Sequence, residues 1–297
     1  NIANVLYTEP KEYTTILEHE LRKGVSFPKA RENAVMMYLN DIKQYANILT
    51  GSNNILAIEY LKAIKKLKSK LNPIGIRREK VLYNDEIIID DFASATAIRK
   101  MIATGQFSDI QKVMPKSSYA LLADELRKGH YVLDLSKFQK EIIYNLRKMS
   151  VEEIAQLVDV SEGLENAIKN AANSSNNLVD FVNIVKSKRY TQTRIQRILI
   201  YALLGITNSK MLAFKKAVPY ARVLGFNENG KQLISQIAKK NKKVQIVTSV
   251  KKYMDESKNK VLKEMLETDI LATNVYTLGY EKDSWSNLDY TNKLVTM

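Results

Sequence analysis

The sequence contains no cysteine and only two histidines, His19 and His130, among its 297 residues. The absence of cysteine excludes a disulfide framework, a thiolate metal site and a cysteine nucleophile. Two histidines so far apart in sequence give little support to a mechanism that needs a histidine pair. No uncharged apolar run reaches the roughly 18 residues of a transmembrane helix, and no signal segment follows Asn1. We therefore expect a cytoplasmic protein.

Positive charge is in excess, because 46 Lys and Arg residues face 32 Asp and Glu residues and the net charge is +14. A total of this size suggests a polyanionic partner, although a lysine-rich soluble surface would give the same number. The distribution of the charge favours the partner. Residues 181–227, here called the acid-free window, contain no Asp or Glu, whereas their length and the overall composition would give about five. The same window contains nine cations: Lys186, Lys188, Arg189, Arg194, Arg197, Lys210, Lys215, Lys216 and Arg222.

Apolar spacing and breaker residues predict an α/β domain that is mostly helical at the start of the chain. Helices are predicted over residues 11–23, 29–49 and 54–71, the last ended by Pro73. Two strands over 74–78 and 86–90 and a helix beginning near Ser94 complete this part.

The second part of the sequence is predicted to be a succession of short helices. They cover residues 117–128, 136–148, 150–158, 163–173, 178–187 and 192–204. Strands over 220–226 and 244–248 enclose a helix over 228–240, a charged connector follows over 251–260, and a last helix covers 258–270. We place the domain boundary between residues 105 and 116, with domains over 1–112 and 113–297.

Residues 186–197, the basic segment, form the strongest candidate site. Apolar residues from Ile195 to Leu203 recur at helical spacing, and Thr191 is the natural N-cap of that helix. Cations at a helix N-terminus are unfavourable by about 0.3–1 kcal/mol each, so a cluster there favours a bound anion such as phosphate. Tyr190 and Tyr201 would add stacking on an exposed base. The alternative is that these cations pair with carboxylates elsewhere in the fold.

A second candidate lies at the predicted helix start after residue 92. The arrangement of Ser94, Thr96 and Arg99 would direct two hydroxyls and backbone N–H groups toward one point, with Arg99 one turn further along, as in a small phosphate cradle. Simple capping of the helix by Ser94 is the commoner explanation of the same residues.

Two further groups of residues carry weaker signals. Asn53 and Asn54 stand at a predicted helix start, where asparagine usually acts as a cap, and Arg77 and Arg78 end a predicted strand. The carboxylates at 90 and 91 are candidates for a general base or a metal ligand, with a polar strand end as the plainer explanation.

These stretches in this order resemble the bacterial tRNA(Met) cytidine acetate ligases of the nucleotidylyltransferase superfamily. The resemblance is carried by GSNNILAIEYLK from residue 51, ASATAIRK from 93, EGLEN from 162 and KSKRYTQTRIQR from 186. It covers nearly the whole chain, and the second stretch is similar to the superfamily's second nucleotide-binding motif. The resemblance implies the C-terminal part of a Rossmann-like nucleotidylyltransferase domain, followed by a helical RNA-binding domain with a small α/β element.

The resemblance also implies a two-step reaction with ATP as co-substrate and Mg²⁺ beside it. Acetate and ATP would give acetyl-adenylate, and the amine of the wobble cytidine of elongator tRNA(Met) would then attack the activated carbonyl. By motif match, the residues that contact ATP would be Asn53 or Asn54, Arg77 or Arg78, Ser94, Thr96 and Arg99, with Asn54 and Arg78 favoured within their pairs. The tRNA would be held by Lys186, Lys188, Arg189, Tyr190, Arg194 and Arg197.

The sequence departs from the family pattern in two places. Ala167 stands where arginine usually follows the EGLEN stretch. The family's ATP-binding His-x-Gly-His motif is absent from these residues, so the chain is expected to begin about one small domain into the family's length and to have little ligase activity by itself. Two alternatives follow, a non-catalytic RNA-binding module and a nucleotidylyltransferase that acts on a small molecule.

Overall fold

The structure, a computed structural model, describes residues 1–40, 45, 48–76, 88, 92–161, 163–187, 190–241 and 243–297. The chain divides into two compact units, an N-terminal unit of Asn1–Pro115 and a C-terminal unit of Lys116–Met297. Helices dominate the described residues, and the few strands are short and pair in parallel. The predicted fold class, α/β with mostly helical content, is therefore confirmed.

The N-terminal unit is built from helices around a small apolar core. The core contains Val5, Tyr13, Val35 and Ile58, all of them buried. The described helices of this unit are α1 (Ile2–Thr8), α2 (Lys11–Arg22), α3 (Phe27–Leu39), α4 (Ser52–Lys66), α5 (Ala95–Ala103) and α6 (Phe107–Lys112), with a 3₁₀ turn at Ile48–Thr50.

Three predictions for this unit differ from the structure. The helix predicted over 29–49 ends at Leu39, because Asn40 adopts the left-handed conformation with a φ of 50°. The helix predicted over 54–71 ends at Lys66, well before Pro73, since Lys68 also has a positive φ of 47°. Residues 74–76 of the first predicted strand are not in a strand. The rest of that strand, and the second predicted strand apart from Ile88, lie outside the described residues.

The C-terminal unit confirms the predicted succession of helices. Its helices are α7 (Lys116–Lys128), α8 (Gln139–Lys148), α9 (Val151–Ala155), α10 (Leu164–Ser174), α11 (Leu178–Val185), α12 (Gln192–Leu204), α13 (Asn208–Lys216), α14 (Glu228–Lys240), α15 (Val250–Glu256), α16 (Lys260–Thr277) and α17 (Leu288–Thr291). The prediction of a connector over 251–260 was wrong, because most of these residues belong to helix α15. Ser249 caps this helix by accepting a hydrogen bond from the Lys252 N–H at 3.3 Å.

Two cations in this unit are structural. Lys169 on α10 donates hydrogen bonds to the main-chain carbonyls of Arg147 and Met149, at 2.6 and 2.5 Å, where α8 ends. In return Arg147 donates from Nε to the carbonyl of Ala172 at 2.7 Å and from Nη2 to that of Ser175 at 3.1 Å, where α10 ends. Each helix therefore supplies the cation that satisfies the other's unpaired carbonyls. These charges serve the fold rather than a ligand.

The small α/β element consists of two parallel pairs of strands. β1 (Ala221–Arg222) pairs with β3 (Ile246–Val247), and β2 (Gly225–Phe226) pairs with β4 (Val295–Thr296). The strand predicted over 220–226 is thus two strands. β4 was not predicted, because two residues are too few to show an alternating pattern. At Gly225 a Cβ atom would lie 2.7 Å from the Val295 carbonyl oxygen, so this close pairing requires glycine.

Candidate nucleic-acid interface

Helix α12 begins as its sequence predicts. The Thr191 hydroxyl accepts a hydrogen bond from the Arg194 N–H at 3.4 Å, which makes Thr191 the N-cap. Ile195, Ile198 and Leu199 are buried in the core of the C-terminal unit. Burial of this apolar face fixes the helix in place and holds its N-terminus at the surface.

Arg194 is anchored by uncharged groups at this helix start. Its guanidinium donates to the main-chain carbonyl oxygen of Asp159 from Nε at 2.9 Å and from Nη2 at 2.7 Å. Nη2 also donates to the Ser161 hydroxyl at 2.9 Å, and the guanidinium carbon lies 5.2 Å from the centre of the Tyr190 ring. Since the contacts on Arg194 in the described part of the chain are all with neutral groups, its positive charge is oriented without being neutralised.

Arg197, one turn further along α12, pairs with a carboxylate, which is the alternative that the sequence left open. Its Nε and Nη2 donate to the same carboxylate oxygen of Asp159, Oδ2, at 2.9 and 2.8 Å. Asp159 lies between α9 and α10 and has a φ of 67°. The pair is solvent-accessible and therefore worth only about 0–1 kcal/mol, so an incoming phosphate can compete for Arg197.

The remaining residues of the basic segment precede the helix. Lys186 is exposed directly after α11. Tyr190 is half-buried against the core, and its N–H is bound by the Ser187 hydroxyl at 3.2 Å. Lys188 and Arg189 lie outside the described residues.

Other cations of the acid-free window are partly paired with acids that lie outside it. Lys210 approaches Glu264 at 3.8 Å, and Arg222 forms an ion pair with Asp289. Lys215 and Lys216 are exposed in the last turn of α13. The window is thus basic in sequence throughout, whereas among its described cations Arg197, Lys210 and Arg222 pair with acids and Lys186, Lys215 and Lys216 are exposed.

In the N-terminal unit, Ser94 is the N-cap of α5. Its hydroxyl accepts a hydrogen bond from the Ala97 N–H at 2.9 Å, and the residue is buried. Thr96 is half-buried and Arg99 is exposed on the same helix. The capping role is therefore real, and it fixes the helix from which Arg99 extends to solvent.

Asn53 and Asn54 do not cap α4, as asparagines at a helix start usually do. The N-cap is Gly51, and both asparagines lie exposed in the first turn. Neither side chain forms a hydrogen bond within the described part of the chain, so both amides are available to a ligand. Arg77, Arg78 and the carboxylates at 90 and 91 lie outside the described residues.

Metal-ligating groups do not gather among the residues that the structure describes, since no cluster of three His, Asp or Glu side chains occurs there. His130 is instead stacked on Tyr280, with ring centres 5.0 Å apart, and its Nδ1 lies 3.2 Å from Glu125 Oε2. Among the same residues, no helix is long and apolar enough to span a membrane.

Comparison with known proteins places these features in a family. Residues 1–290 match the family described as HIGH Nucleotidyl Transferase. The tRNA(Met) cytidine acetate ligase of Acetivibrio thermocellus is 38% identical over 100% of this chain and 73% of its own length. That of Thermoanaerobacter pseudethanolicus is 39% identical over 100% of this chain and 72% of its own length.

Solved structures agree with this relationship. The crystal structure of Thermotoga maritima TmcAL without ligand matches 100% of this chain and 73% of that chain, with a TM-score of 0.90 and 27% identity. The structure of the same protein bound with alpha-thio ATP has a TM-score of 0.87 and 26% identity, and 72% of that chain is covered. The chain belongs to the tRNA(Met) cytidine acetate ligase family of HIGH nucleotidyl transferases.

Proposed function

We propose that the protein is a ligase that activates acetate with ATP and acetylates the wobble cytidine of elongator tRNA(Met). The observation that carries this proposal is 38% identity to a tRNA(Met) cytidine acetate ligase along 100% of the chain. In the first step an acetate oxygen attacks the α-phosphorus of ATP and pyrophosphate leaves. In the second step the N4 amine of the cytidine attacks the acetyl carbon, loses a proton and expels AMP.

The ATP-contacting residues belong to the N-terminal unit in this proposal. Arg99 is exposed on α5 and carries the planar donor set that suits a phosphate. Ser94 holds the first turn of that helix through its cap, which positions Thr96 as well. The amide of Asn53 or Asn54, which bonds to nothing within the described residues, is assigned to ATP together with Arg77 or Arg78, and Asn54 and Arg78 are favoured. Fixed positive charge beside the phosphates would stabilise the charge that develops as pyrophosphate leaves.

The tRNA-contacting residues belong to the C-terminal unit. We assign the backbone phosphates to the basic segment, in which Arg194 keeps an oriented charge and Arg197 can exchange Asp159 for a phosphate. Lys186, Lys188, Arg189 and Tyr190 complete this surface. The domain roles, ATP binding over 1–112 and tRNA binding over 113–297, follow from these assignments.

Mg²⁺ is expected to enter together with ATP. Mg²⁺ commonly binds through one or two carboxylates and the substrate phosphates rather than in a protein cage. The described residues contain no cluster of three acidic or histidine ligands. No step is therefore assigned to a preformed metal site.

Ligase activity of these 297 residues by themselves is expected to be low, because they contain no His-x-Gly-His motif for the ATP phosphates. Binding of tRNA is expected to remain, since the basic segment and its supporting core lie within the C-terminal unit. Tested alone, this chain is therefore expected to bind RNA without ligase activity of note.

The proposal is tested by following the products when the protein from its complete gene is supplied with ATP. We expect pyrophosphate release to require acetate, and sustained AMP release to require tRNA(Met) as well. If AMP were released at the same rate without tRNA, the enzyme would be acting on a small molecule and the proposal would be wrong.

A further inference from the structure

A cleft of about 680 Å³ lies in the small α/β element of the C-terminal unit. Its walls include Arg222, which ends β1, and Thr248 and Ser249, which follow β3. The cleft therefore opens beyond the carboxyl ends of two parallel strands, where ligands commonly bind in α/β folds. Its volume lies within the range of about 300–1,000 Å³ that small-molecule sites occupy.

The wall of the cleft contains a carboxylate with a hydrogen-bond partner on only one of its two oxygens among the described residues. Asp289 accepts a hydrogen bond from Arg222 Nη2 through Oδ1, and its side chain is only 9% exposed. Its other oxygen, Oδ2, is buried and has no hydrogen-bond partner within the described residues. A buried carboxylate oxygen without a donor is costly, and because this oxygen is closed to solvent, the carboxylate holds the cleft wall through the Arg222 pair and does not face a ligand.

The rim of the cleft offers an aromatic ring beside polar side chains. Tyr290 follows Asp289 and is 41% exposed, and Asn292 and Lys293 are exposed nearby in the lining. An exposed tyrosine provides a flat surface on which a base can stack, and the amide can both donate to and accept from a base edge. Lys293 adds a charge suited to the neighbouring phosphate.

Lysines are concentrated in and next to this element. Residues 229–254 contain no Asp or Glu, and only Glu228 separates them from the acid-free window. The exposed lysines described in this stretch are Lys231, Lys239, Lys240, Lys243, Lys251 and Lys252. None of them forms an ion pair within the part of the chain that the structure describes. In contrast, Lys62 and Lys128 pair with acids on their own helices at 3.0 and 2.6 Å.

We propose that this cleft binds an unstacked nucleotide of the tRNA, so that the small α/β element forms a second RNA-contacting surface in addition to the basic segment. The base would stack on Tyr290 and pair its edge with the Asn292 amide, while Lys293 holds the adjoining phosphate. The inference rests on the proposed function, because it takes tRNA as the ligand. It adds a site for a base to a tRNA surface that is assigned mainly to backbone phosphates.

The test compares two variants of the cleft with the unmodified protein. Tyr290→Ala removes the ring, and Tyr290→Phe keeps it. Both leave the net charge unchanged, so they should not alter the dependence of tRNA binding on salt. Tyr144→Ala is the matched control, since Tyr144 is also an exposed tyrosine of the C-terminal unit, at 64%, and lies on α8. Thermal unfolding shows whether each variant keeps its fold.

Binding is measured with a tRNA(Met) transcript over a range of salt concentrations, and contacts are mapped by photo-crosslinking of a 4-thiouridine-substituted transcript. We expect Tyr290→Ala to weaken binding about tenfold, as the loss of one base stack would, with an unchanged salt slope. Tyr290→Phe and Tyr144→Ala should bind normally, and the crosslinks should include residues 288–295.

Equal binding by Tyr290→Ala, without crosslinks in that stretch, would overturn the nucleotide cleft and leave the ligase proposal intact. If the unmodified protein from its complete gene did not bind tRNA(Met), the proposed function itself would fail, together with this inference. The two failures are therefore distinguishable.

Discussion

Arg194 and Asp159 are joined through a main-chain oxygen, with Nε and Nη2 of the arginine 2.9 and 2.7 Å from the Asp159 carbonyl. The carboxylate of the same aspartate is bound by Arg197. One acidic residue thus orients two arginines at the start of α12 while neutralising only one of them. This arrangement gives the basic segment an immobilised charge at a helix N-terminus, where a phosphate is favoured.

Replacement of Arg194 by alanine is expected to weaken tRNA binding about tenfold and to reduce the log–log salt slope by about one unit, as loss of one phosphate contact requires. The measurement is tRNA(Met) affinity at several salt concentrations. Arg127→Ala is the matched control, because Arg127 is an exposed arginine of the same unit that pairs with Asp124 within α7. Loss of slope in both variants would show a general charge effect and contradict a specific role for Arg194.

Asp159→Asn is expected to strengthen tRNA binding by about twofold to fivefold and to steepen the salt slope, because Arg197 is released from its ion pair and a negative charge is removed. Asparagine tolerates the left-handed conformation that residue 159 adopts, so the turn should be kept. Stability should change by less than about 1 kcal/mol, as for a surface ion pair. Weaker binding at unchanged stability would mean that the carboxylate itself contributes to the interface.

Ser94→Ala and Asn54→Ala separate capping from ligand binding. Ser94→Ala should lower the free energy of unfolding of the N-terminal unit by about 0.5–2 kcal/mol, because it removes the N-cap of α5. Asn54→Ala should change that free energy by less than about 0.5 kcal/mol, since its amide bonds to nothing in the described part of the chain. ATP affinity in the protein from its complete gene should fall in the Asn54 variant. Denaturant unfolding and ATP titration measure the two effects.

Lys169→Met tests whether the structural cations are distinct from the RNA-binding ones. The variant loses the ammonium group that serves the last carbonyls of α8, so the C-terminal unit should be destabilised by about 1–3 kcal/mol. At a temperature where the variant is folded, its salt slope for tRNA should equal that of the unmodified protein. A reduced slope would place Lys169 among the phosphate contacts.

Helix α12 shows how far the sequence alone could go. Its bounds of 192–204, its Thr191 cap and its buried face were all predicted, because capping and helical periodicity are local signals. The ligase family, the fold class and ATP binding as a family trait were also predicted from ordered motifs. The strands of the small α/β element were predicted only in part, because each has two residues, too few to show an alternating pattern.

The partners of the basic segment could not be predicted. Asp159 lies 35 residues before Arg194, and local charge rules extend only three or four positions along a helix. The connector over 251–260 was misassigned for a related reason. Its many charges favour a solvated loop, but Val250 is buried in the apolar cluster of the small α/β element and holds α15 against it. Tertiary packing, rather than local composition, decided both cases.

The most direct test of the ligase assignment is transfer of labelled acetate to tRNA(Met) by the protein from its complete gene. The control transcript differs only in carrying uridine in place of the wobble cytidine. The account predicts ATP-dependent N4-acetylcytidine in the first transcript and no label in the second. Well-folded protein that bound ATP and tRNA(Met) but transferred no acetate to that cytidine would contradict it.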